Sequence, residues 1–187
     1  GTTFNNSIGV SGGSEKLQTY LSYTNNAVQG IMPRNDMNRH TFNLRLTNQI
    51  SNKFSVDSKI TYVLQDIKSK YANGESPISP FINIYQIPRN VSLADAKNYE
   101  IINNVGIAER APYPVTNPAL YQNAYWVVHN TEINEKRDRI MGFVSAKYDI
   151  QPWLHVTGRA NLDKTRDNIT SIQKQGTVGI SATGGGA

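Results

Sequence analysis

Four aromatic side chains, Tyr113, Tyr121, Tyr125 and Trp126, fall close together in a stretch rich in proline and asparagine. Flat aromatic faces stack on sugar rings, and the amides of Asn117, Asn123 and Asn130 supply paired donors and acceptors, so this set has the chemistry of saccharide or peptide binding. The same side chains equally suit packing a long loop on itself or against a partner. A second set is charged: Arg45, Asp57, Lys59 and Arg159. With a hairpin turn centred at Asn52, Arg45 faces Lys59 and lies diagonal to Asp57. A turn centred at Pro152 sets Asp149 opposite His155 and Ser145 opposite Arg159. Charges so placed form a salt-bridged ladder on a wetted wall or touch a passing substrate.

Other chemistries find no support. His40, His129 and His155 are far apart and share no metal-ligand spacing, and no calcium-loop motif occurs. The chain has no cysteine, which removes disulfides, thiolate metal sites and thiol nucleophiles together. No serine sits in a nucleophile elbow, and Gly184–Gly186 lacks the strand-to-helix frame of a phosphate loop. The chain is therefore expected not to be an enzyme, and no cofactor or metal is implied.

The elements that must position these residues show as alternation. In Phe42–Ile50 and Phe54–Leu64 the even positions are mostly apolar (Phe42, Leu44, Leu46, Val56, Ile60) and the odd ones mostly polar (Asn43, Arg45, Thr47, Asp57, Lys59). Alternating side chains point to opposite faces of a strand, so each segment has one apolar and one wetted face. The design returns at Ile140–Ile150 and Leu154–Leu162, and each pair is joined by three residues, Ser51–Lys53 and Gln151–Trp153. Earlier strands are expected at Asn6–Ser11 and Leu17–Asn25, and the full set extends to Arg39–Ile50, Phe54–Asp66, Arg137–Ile150 and Trp153–Lys164.

Their connections read short, medium, short, very long, short. Antiparallel barrels of bacterial outer membranes alternate short periplasmic turns with long extracellular loops in this way. Aromatics gather at both ends of the strands: Phe54, Tyr148 and Trp153 by the short turns, Tyr23, Phe42 and Tyr62 toward the other end. Aromatic girdles have this form, although aromatics also favour strands in general. The connection Ile67–Lys136 holds six of the eight prolines, with a short helix expected after Ser92 as N-cap.

Composition agrees with such a wall. Only 18% of the 187 residues are charged, and no apolar run approaches the ~20 residues of a spanning helix. A barrel is compatible with that, because half of each strand faces water. The net charge of +5 comes from Lys and Arg scattered singly, which gives no nucleic-acid footprint. Gly1 is no translational start, so the chain is expected to be processed or part of a longer one. Six strands are too few to close a barrel of this kind, which needs about eight or more. The expectation is an all-β fold: antiparallel transmembrane β-barrel strands, about six of a larger barrel, with long extracellular loops. Residues 1–164 would be a partial outer-membrane wall including extracellular loop 67–136, and 165–187 the start of a further loop or a ragged end.

Particular segments also resemble a known family. Ser11-Gly12-Gly13-Ser14-Glu15-Lys16, then Tyr20-Leu21-Ser22 and Gly30-Ile31, are similar in order and spacing to a stretch of the SusC/RagA family of TonB-dependent outer-membrane transporters. Arg39-His40-Thr41-Phe42-Asn43-Leu44-Arg45 departs from the family's R-Y-N-x-R strand but keeps Arg39, Asn43 and Arg45. Ile87-Pro88-Arg89, Asn117-Pro118, Tyr125-Trp126, and Gly142–Tyr148 before Pro152-Trp153-Leu154 extend the likeness over most of Phe4–Asp163.

The resemblance implies a barrel of about 22 strands in the bacterial cell outer membrane, importing oligosaccharides or peptides. It implies a SusD-like surface lipoprotein as partner, and TonB reached through a plug not present in this chain. Substrate contacts would come from Tyr113, Tyr121, Tyr125, Trp126 and Asn117, with Arg45, Asp57, Lys59 and Arg159 facing the lumen. A siderophore importer is a variant of the same reading. The alternative is a soluble β-sandwich binding or adhesion module, in which the apolar faces meet a second sheet.

Overall fold

The computed structural model of the protein describes residues 1–179. The glycine-rich end at Gly184–Ala187 lies outside the described residues. The chain is all-β in class and forms two compact units. Among the described residues, the sheet unit comprises 1–31, 36–67 and 135–168, and the insertion unit 32–35, 68–134 and 169–179.

Six long strands make the sheet: β1 (Thr2–Gly13), β2 (Leu17–Gln29), β3 (Asp36–Ser51), β4 (Phe54–Lys68), β7 (Thr131–Gln151) and β8 (Leu154–Gln173). They lie in the order β1-β2-β3-β4-β7-β8, so each strand pairs with the next strand of the sheet in sequence and the sheet stays open at β1 and β8. All six expected strands form, and all run longer than their alternation indicated. The largest difference is β8, which continues past Lys164 to Gln173 although the apolar pattern fades after Thr165. Pairing with its neighbour sustains it there: the Arg137 guanidinium grips the Asp167 carboxylate through Nε and Nη2 at 2.7 and 2.9 Å.

Register carries the alternation from strand to strand. Val10 pairs with Leu21, and Leu21 with Leu44; Ile8 pairs with Tyr23, and Tyr23 with Phe42. Between β4 and β7, Val56 meets Ala146, Ile60 meets Gly142 and Tyr62 meets Ile140. Directly paired residues share a face, so these rows build one apolar face. The opposite face collects Tyr20 with Arg45, Ser22 with Asn43, and Asp57 with Ser145. The apolar face is uncovered within its unit: Val10 is 64%, Leu21 53%, Val144 54% and Leu162 57% exposed.

The buried apolar core sits elsewhere. Of the buried hydrophobic side chains among the described residues, Val63 alone belongs to the sheet unit; Ala96, Ala111, Ala124, Trp126, Val127 and Val128 belong to the insertion unit. That unit holds α1 (Pro80–Tyr85), α2 (Leu93–Lys97), the hairpin β5 (Glu100–Ile102) and β6 (Ala108–Arg110), and α3 (Ala124–Asn130). Ser92 caps α2 as its sequence indicated, accepting from the Asp95 N–H at 3.0 Å. Asn123 caps α3 by accepting from the Tyr125 N–H at 2.9 Å.

Buried amides substitute for regular secondary structure between these helices. Asn83 donates to the carbonyls of Pro77 and Ser79, both at 2.8 Å, and accepts from the Gln122 N–H at 2.7 Å. Gln122 donates to the Pro77 carbonyl at 2.9 Å and accepts from the Val178 N–H at 2.9 Å. Trp126 donates through Nε1 to Thr177 Oγ1 at 3.0 Å.

Two glycines on the apolar face differ in what surrounds them. A Cβ on Gly142 would lie 2.5 Å from the Lys59 carbonyl oxygen, whereas one on Gly158 would meet nothing within 4 Å. Gly142→Ala is expected to destabilise the sheet by about 1–3 kcal/mol. Gly158→Ala should be neutral or stabilising by up to about 1 kcal/mol, since alanine loses less chain entropy in a strand. Denaturant titration of the two variants in parallel checks both. In the insertion unit, Asn83→Ala orphans the Gln122 N–H, at about 1–3 kcal/mol for a buried group left unpaired, while the Pro77 carbonyl keeps its bond from Gln122. Hydrogen exchange should therefore accelerate around α1 and Gln122 while the centres of β2 and β3 stay protected.

Candidate functional site

The polar face of the sheet carries ordered ion pairs. Arg45 grips Asp57 through Nε and Nη2 at 3.1 and 3.0 Å, the diagonal contact its spacing indicated, and Thr47 adds a hydroxyl bond to the same carboxylate at 3.2 Å. Thr61 donates to Asn43 at 2.7 Å, which holds β3 and β4 in the same register. Arg139 grips Asp163 through Nε and Nη2 at 2.9 and 2.5 Å, a second bidentate pair. Lys147 reaches Asp149 at 2.8 Å.

Arg159 and Lys59 are used differently. The Arg159 guanidinium lies 4.7 Å from the centre of the Phe143 ring, a cation–π contact that shields an aromatic residue stranded on the polar face. Phe143 is in turn the direct partner of Lys59, whose side chain is exposed. The face is thus a wall of fixed, mostly paired charge. It can repel apolar solutes and hold water, but the bidentate pairs have little capacity left for a ligand.

The loop aromatics part company in the folded chain. Trp126 is 0% exposed, with its indole N–H bonded to Thr177, so it packs the insertion unit and presents no open face. Lys174 covers its ring at 5.2 Å and bonds Glu100 at 3.0 Å. Asn117 organises a turn: its side chain accepts from the Ala119 N–H at 3.1 Å, and its carbonyl accepts from Leu120 and Tyr121 at 3.1 and 2.9 Å. Tyr125 is half-buried at the start of α3, beside Tyr113.

Tyr113 and Tyr121 do come together, on the wall of a cleft of about 370 Å³ with Arg110, Val115, Pro118 and Gln122. The Tyr113 hydroxyl is buried without a hydrogen-bond partner among the described residues. Burial, then the nearby Asp95 carboxylate and Tyr125, push this phenol above its ordinary pKa, so it remains a donor at neutral pH. Burial pulls the Arg110 guanidinium down from its ordinary value. Arg110 is a residue the sequence did not single out. It ends a three-residue strand, β6, whose backbone pairs Arg110 with Glu100, and nothing in its local spacing marks it.

No family model matches the sequence, and no curated protein matches it.

Because the Arg139–Asp163 pair is solvent-exposed, Asp163→Asn is expected to leave stability nearly unchanged. Urea titration at low and high salt measures this. A large loss of stability would show that the ladder, and not the backbone pairing, holds β7 and β8 together.

Proposed function

We propose that the chain is part of the wall of a bacterial outer-membrane β-barrel, of the SusC/RagA-like TonB-dependent class that imports oligosaccharides or peptides. The observation that carries this reading is the uncovered apolar face. Six strands of 12 to 21 residues present one continuous apolar surface, and their unit contains only strands and turns to cover it. In water such a surface is unfavourable by roughly 25 cal/mol for every Å². In hydrocarbon it is the surface a barrel needs.

Further features fit. The aromatic row Tyr23–Phe42, with ring centres 5.0 Å apart, lies toward one end of the apolar face, and Phe54–Tyr148, at 6.5 Å, lies toward the short turns. The distance from Phe54 to Tyr62 along β4 is about 26 Å at ~3.3 Å per residue. That is close to the ~25 Å apolar band of such barrels, or somewhat less after strand tilt. Charge on the other face suits a watery lumen. The open edges β1 and β8 call for further strands, since an unpaired edge of that length is a template for pairing. On this reading the insertion unit is an extracellular loop, and a SusD-like lipoprotein and a plug that engages TonB complete the transporter.

Membrane fractionation and gels run with and without boiling test the proposal. The native species should sit in the outer membrane, be heat-modifiable, be several times larger than 20.8 kDa and co-purify with a lipoprotein. Leu44→Arg, on the apolar face, should block its assembly, at roughly 2–4 kcal/mol for an arginine near the midplane. A 20.8 kDa monomer soluble without detergent would overturn the reading in favour of a sandwich module.

A further inference from the structure

The cleft around Tyr113 and Tyr121 contains two polar groups with unused bonding capacity, and their chemistry selects a ligand. Its neighbouring amides already hold main-chain partners on both their nitrogen and their oxygen: Gln122 bonds Pro77 and Val178, and Asn123 bonds the Ala96 carbonyl at 2.7 Å and the Tyr125 N–H at 2.9 Å. Arg110 is the contrast. Its half-buried guanidinium makes no ion pair or hydrogen bond with any described residue, although Arg45, Arg137 and Arg139 each hold a carboxylate in a two-pronged grip. Tyr113 lines the same cleft, and its buried hydroxyl has no hydrogen-bond partner among the described residues. Partly desolvated donors without acceptors are unfavourable in the empty protein and become favourable when an acceptor arrives.

We infer that this cleft binds a single carboxylate group, with Arg110 donating two parallel hydrogen bonds to its oxygens, Tyr113 donating a third bond to the ligand, and the Tyr121 ring lying along its apolar part. The planar guanidinium matches a carboxylate in geometry as well as charge. A doubly charged phosphate is the poorer fit, because the Asp95 carboxylate lies near enough to Tyr113 to repel a second negative charge. At about 370 Å³ the cleft is at the small end of ligand pockets and admits one sugar unit or one terminal amino-acid residue. The carboxylate comes from a uronic acid or from the C-terminus of a peptide. The inference concerns the insertion unit alone and holds whether or not the sheet is a membrane wall.

Calorimetric titration of the folded full chain in detergent, with two matched pairs of probes, tests it. One pair is trigalacturonic acid against galactotriose; the other is trialanine against trialanine amide. One acid should bind saturably and at least tenfold more tightly than its neutral counterpart, and the pair that shows the preference identifies the source. Arg110→Gln should weaken that binding tenfold or more, Tyr113→Phe severalfold, and Arg89→Gln, an exposed arginine of the same unit, should leave it unchanged. Equal binding of acid and neutral probes by the unsubstituted chain would overturn the inference, whatever the variants do. A preference that survives intact in Arg110→Gln would also overturn it. Loss of the outer-membrane location would touch the barrel proposal and not this one.

Discussion

Register is the constraint on which the sheet depends. Each strand alternates apolar and polar side chains, and the pairing brings Val10, Leu21 and Leu44 into one row and Val56 and Ala146 into another. A slip of one residue between any two strands would turn one set of apolar side chains onto the charged face. The ion pair between Arg45 and Asp57 and the hydrogen bond between Thr61 and Asn43 form only in the observed register, so the polar face enforces what the apolar face requires. Gly142 adds a steric condition, since the backbone of β4 passes too close to admit a side chain there.

The two units are stabilised by different means. The sheet unit has long ladders of backbone hydrogen bonds and almost no buried apolar side chain, an arrangement that makes sense where something outside the chain covers the apolar face. The insertion unit has short elements and a small core around Trp126, and its irregular backbone is held by buried amides. Asn83, Gln122 and Asn123 each supply both a donor and an acceptor to main-chain groups that no helix or strand serves. A long connection with its backbone polar groups satisfied in this way can keep a defined shape.

Arginine is put to different uses in this chain, and the contrast separates structure from binding. Arg45 and Arg139 spend their donor pairs on aspartates across neighbouring strands, which fixes wall charge in place. Arg159 covers Phe143 with its flat face and keeps an aromatic ring from water. Arg110 does neither: it shares a cleft with Tyr113, and the Gln122 and Asn123 amides of that cleft are already bonded to main-chain groups. Aromatic side chains attract notice in a loop, yet here the most prominent of them, Trp126, is the core, and an isolated arginine is the group left free to act.

The sequence by itself determined what neighbouring residues encode. Period-two alternation placed all six strands and both tight hairpins, the spacing about Asn52 anticipated the Arg45–Asp57 contact, and Ser92 announced the cap of α2. It understated β8, because the strand continues beside β7 after its apolar alternation ends, with Arg137 reaching Asp167 across the pair. It missed α1, α3 and the β5–β6 hairpin, which are too short to show a period; α1 and α3 pack against each other, and Asn103 organises the hairpin turn through its bonds to Val105, Ile107 and Glu109. Only the tertiary structure decided that Trp126 is buried against Thr177, that Asn117 shapes a turn, and that Arg110 shares a cleft with Tyr113 and Tyr121. Burial and pairing of those side chains depend on residues brought together by folding, and local sequence carries no record of who those neighbours are.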